Sequence, residues 1–343
     1  MKRFRTVMGL VLTAALLVAT GCAGAKKEAP APAAGGTAPK TEEKKTWAPD
    51  KPVTMIVPYS AGGSTDVLAR QVEKVWSKYV SQPLTVVNKP GASGMEGRET
   101  VVRSKPDGYT IMMGYGSGED LIAPQLRKTT FDPIADFQPL GLLSAHSVLI
   151  TVPANSPYKT MQEMLAGAKA KPLTAALSGV GNLMDIVTRA LASTTKAEIT
   201  GVPFAGGGPA TTAMVGGQVD FGPGHPSELM PHVKGGRLRI LAVATPDRDP
   251  SLPEVPTLKE SGVNFTNPGS LKGVAGPKGM PAEIVAYYDD VLKKIAEDPD
   301  FKKGMADVFQ PVIYKNSADF TKHAKETFDS YGKLIKDLNV KLD

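Results

Sequence analysis

The hydrophobic positions of this chain fall into two alternating patterns: short apolar runs of strand length, and stretches where apolar residues return every three or four positions. VTMIVPY (53–59) is a β-branched run, and after it Val67, Leu68, Val72, Val75, Trp76 and Tyr79 recur at helical spacing. Between them lies PYSAGGSTDVLAR (58–70), so the unit reads strand, glycine loop, helix, the opening of an open α/β sheet. LTVVN (84–88), a turn at KPGASG (89–94), a helical stretch to about Ser104 and a buried strand YTIMMGY (109–115) continue the pattern. Gly116-Ser117-Gly118-Glu119-Asp120 then makes a second strand-end loop before a helix to about Leu126.

From SVLITVP (147–153) the pattern starts afresh, as if a second sheet were being laid down. A helix near 160–170, the run LTAALS (173–178), the loop Gly179-Val180-Gly181, a helix from about Asn182 and EITGVPF (198–204) follow in turn. That last strand opens onto Ala205-Gly206-Gly207-Gly208-Pro209, a glycine loop directly before a helix start, with Pro209 suited to the first turn. QVDFGPG (218–224) and LRILAVA (238–244) complete the set, and LKGVAGP (271–277) precedes helices at about 281–297 and 299–309. A closing amphipathic helix from about Ser317 to Leu338 carries Phe320, Phe328, Tyr331, Leu334, Ile335 and Leu338 as an apolar stripe for core packing, read as a return to the first domain. Both halves thus offer strand-end glycine loops, and in open α/β sheets ligands sit at the carboxyl ends of strands, so two such ends face each other across a cleft.

The first loop has anion-binding chemistry. Gly62 and Gly63 let several N–H groups turn toward one point ahead of the positive end of the following helix. Ser64 or Thr65 is placed to cap that helix, and Asp66 sits in or just before its first turn, where a carboxylate is favoured. A structural βα turn with ordinary capping is the plainer alternative.

Composition narrows the function. The 343 residues, 41% hydrophobic and 22% charged, have room for two ordinary domains. The net charge of +6 is scattered, with no basic block interleaved with aromatics, which argues against a nucleic-acid partner. Four histidines and one cysteine offer no metal constellation, and no cofactor is implied. The sequence has no Walker lysine loop, G-x-S-x-G elbow or dinucleotide fingerprint, so the common enzyme readings lack their chemistry.

At the N-terminus, Lys2, Arg3 and Arg5 precede an apolar run from Val7 to Ala19, too short to span a bilayer comfortably but suited to a signal-peptide core. Ala19-Thr20-Gly21-Cys22 resembles a bacterial lipobox, which implies a lipoprotein signal peptide over 1–21 and lipidation at Cys22. Several acyl chains, each contributing about 0.8 kcal/mol per buried methylene, would then hold the chain on the membrane without a spanning helix. Residues 22–46, rich in Ala, Lys, Glu, Pro, Gly and Thr without apolar period, read as a disordered tether.

Several long motifs, in order, resemble the solute-binding proteins of tripartite tricarboxylate transporters, the Bug family. They are KPVTMIVPYSAGGSTDVLAR (51–70), VVNKPGASGMEG (86–97), PDGYTIMMG (106–114), VPFAGGGPATTAMVGGQVD (202–220) and LPEVPTLKESGV (252–263). The resemblance covers essentially all of Trp47 to Asp343. It implies an α/β, two-domain periplasmic-binding-protein (venus flytrap) fold, each domain a mixed, mostly parallel sheet flanked by helices. The expected division is 47–146 with 270–343 as domain 1 and 147–269 as domain 2. It further implies an extracytoplasmic monomer that delivers a small carboxylate ligand to a large and a small integral-membrane transporter subunit.

Carried over by position, Tyr59, Ser60, Ala61, Gly62, Gly63, Ser64 and Asp66 match the family's first ligand loop, and Ala205, Gly206, Gly207, Gly208 and Pro209 the second. Ser117 and the segment Ser178 to Asn182, with Ser178, Gly181 and Asn182, would complete the walls. Four or five hydrogen bonds to a charged group, at roughly 1.5–3 kcal/mol each, would cover the roughly 8 kcal/mol of micromolar binding after the costs of closure. On that reckoning the cleft needs no lysine or arginine. The sequence departs from the family pattern at Asn182, Leu183, Met184 and Asp185, and at Glu119 and Asp120. Either Glu119 or Asp120 receives an ammonium on the ligand, or both point to solvent from a first helical turn; His225 stands beside a strand end as a further candidate. A flytrap that signals to a membrane sensor kinase is the alternative function.

Overall fold

The computed structural model describes residues 47–116, 118–267 and 269–340, with residue 119 described in its backbone only. In chain order come β1 (Val53–Val57), α1 (Ser64–Trp76), β2 (Leu84–Asn88), α2 (Met95–Val102), β3 (Thr110–Tyr115), the short helices α3 (Gly118–Leu121) and α4 (Ala123–Leu126), and β4 (Phe137–His146). There follow β5 (Leu149–Pro153), α5 (Met161–Ala170), β6 (Leu173–Leu177), α6 (Leu183–Thr195), β7 (Ile199–Pro203), α7 (Gly207–Val215), β8 (Gly222–Gly224), α8 (Pro226–Lys234) and β9 (Leu238–Val243). The chain closes with β10 (Ser270–Pro277), α9 (Ala282–Glu297), α10 (Pro299–Asp307), β11 (Lys315–Asn316) and α11 (Ser317–Asp337).

Six strands form one sheet in the order β11-β4-β10-β3-β1-β2. The portion of the chain built on it is lobe 1. Lobe 2 is built on β8-β5-β9 and on the pair β6-β7, joined by a parallel bridge between Ala175 and Phe221. Helices flank the strands, and the sheets are mixed as expected. They are not mostly parallel, however. β1 runs parallel to β2 and β3, and β6 to β7, but β10 pairs antiparallel with both β3 and β4, β11 with β4, and β5 with both β8 and β9. A parallel neighbour must be reached by a crossover on its own sheet, whereas β10 arrives from the other lobe and is free to run against its neighbours.

The chain leaves the first sheet between His146 and Leu149 and returns to it at Ser270. The apolar run FQPLGLLSAH (137–146), to which the sequence pattern assigns no element, is β4, buried along most of its length. Pro139 and Gly141 disguise it, and burial on both faces removes the alternation that marks a half-exposed strand. Pro226, Pro231 and the glycines at 235–236 likewise hide α8.

The last helix does more than return to lobe 1. Phe320 and Ala324 in its first half pack with Tyr115, Phe137 and Leu271 of lobe 1. Tyr331 and Ile335 in its second half enter the core that holds Val148, Ile150, Phe221 and Leu241 of lobe 2, together with Leu121 and Ile122 of α3 and its flank. Twenty-one residues at 1.5 Å each give a rod of about 30 Å, long enough to strap both cores. The Tyr331 hydroxyl donates to Gly269 O at 2.6 Å, beside the return crossing. No helix among the described residues is long and apolar enough to cross a membrane.

Candidate functional site

Lobe 1 contributes the β1–α1 loop. Gly62 takes φ +81°, the left-handed region that favours glycine, and turns the chain into α1. The N-cap position is Gly63 and has no side-chain cap, so neither Ser64 nor Thr65 caps the helix; both are buried first-turn residues. Asp66 looks back into the loop. Its carboxylate accepts from Gly62 N at 2.9 Å, from Asn88 Nδ2 at 3.0 Å and from Arg70 Nε at 3.3 Å, which makes it a brace of the loop and spends the Gly62 amide on the protein itself.

Lobe 2 repeats this device after β6. Asn182 caps α6 by accepting from Met184 N and Asp185 N, while Asp185 accepts from Gly181 N at 2.8 Å and from Arg189 Nε at 2.7 Å. The two loops thus share the spacing Gly-x-x-x-Asp-x-x-x-Arg, Gly62–Asp66–Arg70 and Gly181–Asp185–Arg189. The Gly181 amide, like that of Gly62, faces its own aspartate. Ser178 Oγ accepts from Asn182 Nδ2 at 3.0 Å.

The glycine loop between β7 and α7 lies directly against the first loop. Ser60 Oγ donates to Ala205 O; a Cβ on Gly206 would meet Ser60 at ordinary contact distance, 3.5 Å, and one on Gly208 would press on the Ala61 carbonyl at 3.3 Å. Where the lobes meet more deeply, Tyr59, Gly63, Ser64, Ser178, Asn182 and Gly207 line one small cavity of about 30 Å³. Its floor and sides add Thr65, Gly118, Leu183, Met184 and His225. Ala205 and Gly206 open instead on a neighbouring cavity of about 190 Å³, with Tyr59 and Ser178 shared. Ala61, Gly62, Gly208 and Pro209 line an outer groove of about 560 Å³. Asp66 and Gly181 line none of the three. Ser117 and the Glu119 side chain lie outside the described residues, as does Cys22.

Two charged residues of the small cavity escape the sequence reading. Lys272, on β10 and only 3% exposed, donates from Nζ to Thr65 Oγ1 at 2.9 Å and sits 5.5 Å from the centre of the Tyr59 ring. The sequence reading saw no need for a lysine in the cleft, yet a buried ammonium stands at the first turn of α1. Its signal was a single charge inside the otherwise apolar run SLKGVAGP. Glu228, in the first turn of α8, places Oε1 at 2.6 Å from Ser64 N and thereby crosses from lobe 2 to lobe 1.

Asp120 corrects a further expectation. It neither meets solvent nor waits for a ligand ammonium, because it is wholly buried in an ion pair with the equally buried Arg98. Arg98 also donates to Gly94 O and to the Tyr59 hydroxyl, each at 3.0 Å, so the pair supports the wall of the cleft from behind. His225 donates from Nδ1 to Ser147 O at 3.1 Å and meets His146 edge to face at 5.1 Å. Burial, with the Lys272 charge second, pushes the His225 imidazole down to about 3; burial, then His225 and Lys272, hold His146 well below its ordinary value. Both rings are neutral at pH 7. Among the described residues no cluster of His, Cys, Asp and Glu is arranged to hold a metal ion.

Two α/β lobes with loops converging on a buried seam define a solute-binding protein of the periplasmic type. Residues 68–340 match the family described as "Tripartite tricarboxylate transporter family receptor" (TctC), and the chain belongs to that family. It is 32% identical over 294 residues to the "UPF0065 protein in gbd 5'region" of Cupriavidus necator, covering 85% of this chain and 89% of the relative. Among solved structures it is similar to the periplasmic binding protein BugD, with TM-score 0.81 and 28% identity over 85% of this chain and 99% of that one. It is also similar to Rpa4515 of R. palustris with adipate (TM-score 0.80, 26% identity, 85% and 99% covered) and to MatC of Rhodopseudomonas palustris with bound malate (0.79, 29%, 84% and 99%). The chain is a solute-binding protein of the TctC, or Bug, family and not an enzyme.

Proposed function

We propose that this chain is an extracytoplasmic, lipid-anchored receptor that captures a small carboxylated metabolite between its lobes and hands it to the large and small membrane subunits of a tripartite carrier. The observation that carries the ligand class is Lys272: a buried ammonium beside Thr65, where the N-terminus of α1 adds its own positive end. Two structural neighbours hold dicarboxylates, adipate and malate, which fits the same reading. Tyr59, Gly63, Ser64, Ser178, Asn182 and Gly207 are the residues placed to meet such a ligand in the inner cavity, with Ala61, Gly62, Ala205, Gly206, Gly208 and Pro209 forming the closing rims and Ser60 joining the two loops through Ala205 O. In this reading residues 1–21 are a cleaved leader, Cys22 carries the lipid, 22–46 are the tether, and the two ligand-binding domains are 47–146 with 270–343 and 147–269.

A thermal-shift screen of the protein against dicarboxylates, aromatic acids and amino acids tests the ligand class. A specific carboxylate at a hundred times its Kd stabilises the fold by about 2.7 kcal/mol and raises the midpoint accordingly. Lys272→Met should abolish that shift; a full shift in the variant would show that the ammonium has no part in binding. Lipid anchoring is tested separately by labelled palmitate, expected to enter the wild-type chain and not Cys22→Ser.

A further inference from the structure

We infer that Glu228 is an internal carboxylate that competes with the ligand: it latches the lobes together through the very amide a ligand carboxylate would use. The inference rests on the carboxylate reading of the cleft and adds to it the device that sets how tightly the cleft binds.

The geometry is specific. Glu228 belongs to α8 of lobe 2, and its Oε1 accepts from the backbone N–H of Ser64, the first residue of α1 in lobe 1, at 2.6 Å. That amide is one of the unpaired donors at a helix N-terminus, the place where an anion is most favoured. A Cβ on Gly207 would stand 2.3–2.4 Å from the Glu228 carboxylate, so the carboxylate fills the space between the two glycine loops. The side chain thereby brings a negative charge into the cavity that Lys272 also lines, and the space left there is about 30 Å³. A ligand carboxylate reaching the Ser64 amide would have to take the place the Glu228 carboxylate holds. Hydrogen bonds to a charged group are strong, and this one joins two lobes, so it holds for as long as they stay closed.

Opening the cleft must break the contact, and filling it must move Glu228 aside. If the latched form leaves one molecule in ten open, the apparent Kd is tenfold weaker than the intrinsic one. The latch therefore raises the concentration at which the receptor responds, and it disfavours ligands whose carboxylate cannot outcompete a tethered one.

The test compares wild type with Glu228→Gln, which keeps the shape, and Glu228→Ala, which removes the group. Small-angle scattering without added ligand is expected to show a larger radius of gyration for the alanine variant, and titration with malate and adipate is expected to show about tenfold tighter binding of whichever acid binds wild type, with glutamine in between. Unchanged scattering in the alanine variant overturns the latch, whether or not any acid binds. Loss of acid binding in both variants also overturns it, since Glu228 would then be a ligand contact. If neither acid binds any form yet the alanine variant opens, the latch stands and the ligand class is what fails.

Discussion

A single charge in an apolar context carries most of the chemistry here. Lys272 sits in β10 between buried neighbours, and its ammonium is held at Thr65 Oγ1. The sequence shows the anomaly but not its partner, because Thr65 lies 207 positions away and only the return of the chain to lobe 1 brings them together. Asp120 illustrates the opposite failure: beside Glu119 it reads as an acidic first turn, yet Arg98, 22 residues earlier, claims it in a fully buried pair. Removing one partner of such a pair leaves an uncompensated buried charge. Arg98→Met should destabilise the fold by about 3–5 kcal/mol, read as a drop in the denaturant midpoint, and a loss below about 1 kcal/mol would show that Asp120 is satisfied without it.

Among the elements, the βα units were legible because strand, glycine and helix period follow one another locally. β1, β2, β6 and α9 lie within a residue or two of where the pattern puts them. β4 was not legible, since it is buried along most of its length and owes its pairing to β10, more than a hundred residues distant; β10 itself falls on the run LKGVAGP, but its antiparallel partners were not legible. The loops of the site were legible as glycine-rich, but the Asp66 and Asp185 braces consume the Gly62 and Gly181 amides, which the glycines alone would offer a ligand. The fit between elements across the seam is tight at Gly118, where a Cβ would stand 2.4 Å from Leu183 N, a backbone atom that cannot swing away. Gly118→Ala should therefore hold α3 off α6 and keep the lobes apart, giving a larger radius of gyration by scattering and at least tenfold weaker ligand binding; an unchanged scattering profile and affinity would mean that the seam is not closed there in solution.

For the whole molecule, the two crossings at 146–149 and near 269 and the strap of α11 join the lobes, and the neutral pair His146 and His225 packs ring to ring next to the first crossing. Both imidazoles are depressed from an ordinary value of 6.5. The unfolded chain takes up protons below about that pH while the folded chain does not, so stability is full above pH 6.5 and falls as pH drops toward about 3. The slope is up to ~1.4 kcal/mol per pH unit for each histidine. Urea unfolding at pH 7.5 and 5.5 should show that loss, and His225→Gln should flatten it; an equal slope in the variant would place the titration elsewhere. The central claim concerns charge in the cleft, and calorimetric titration of the protein with malate and adipate, each beside its dimethyl ester, meets it most directly. Saturable one-to-one binding of at least one free acid, with none of its ester, is the expected result. Binding of the esters as tightly as the acids would contradict it.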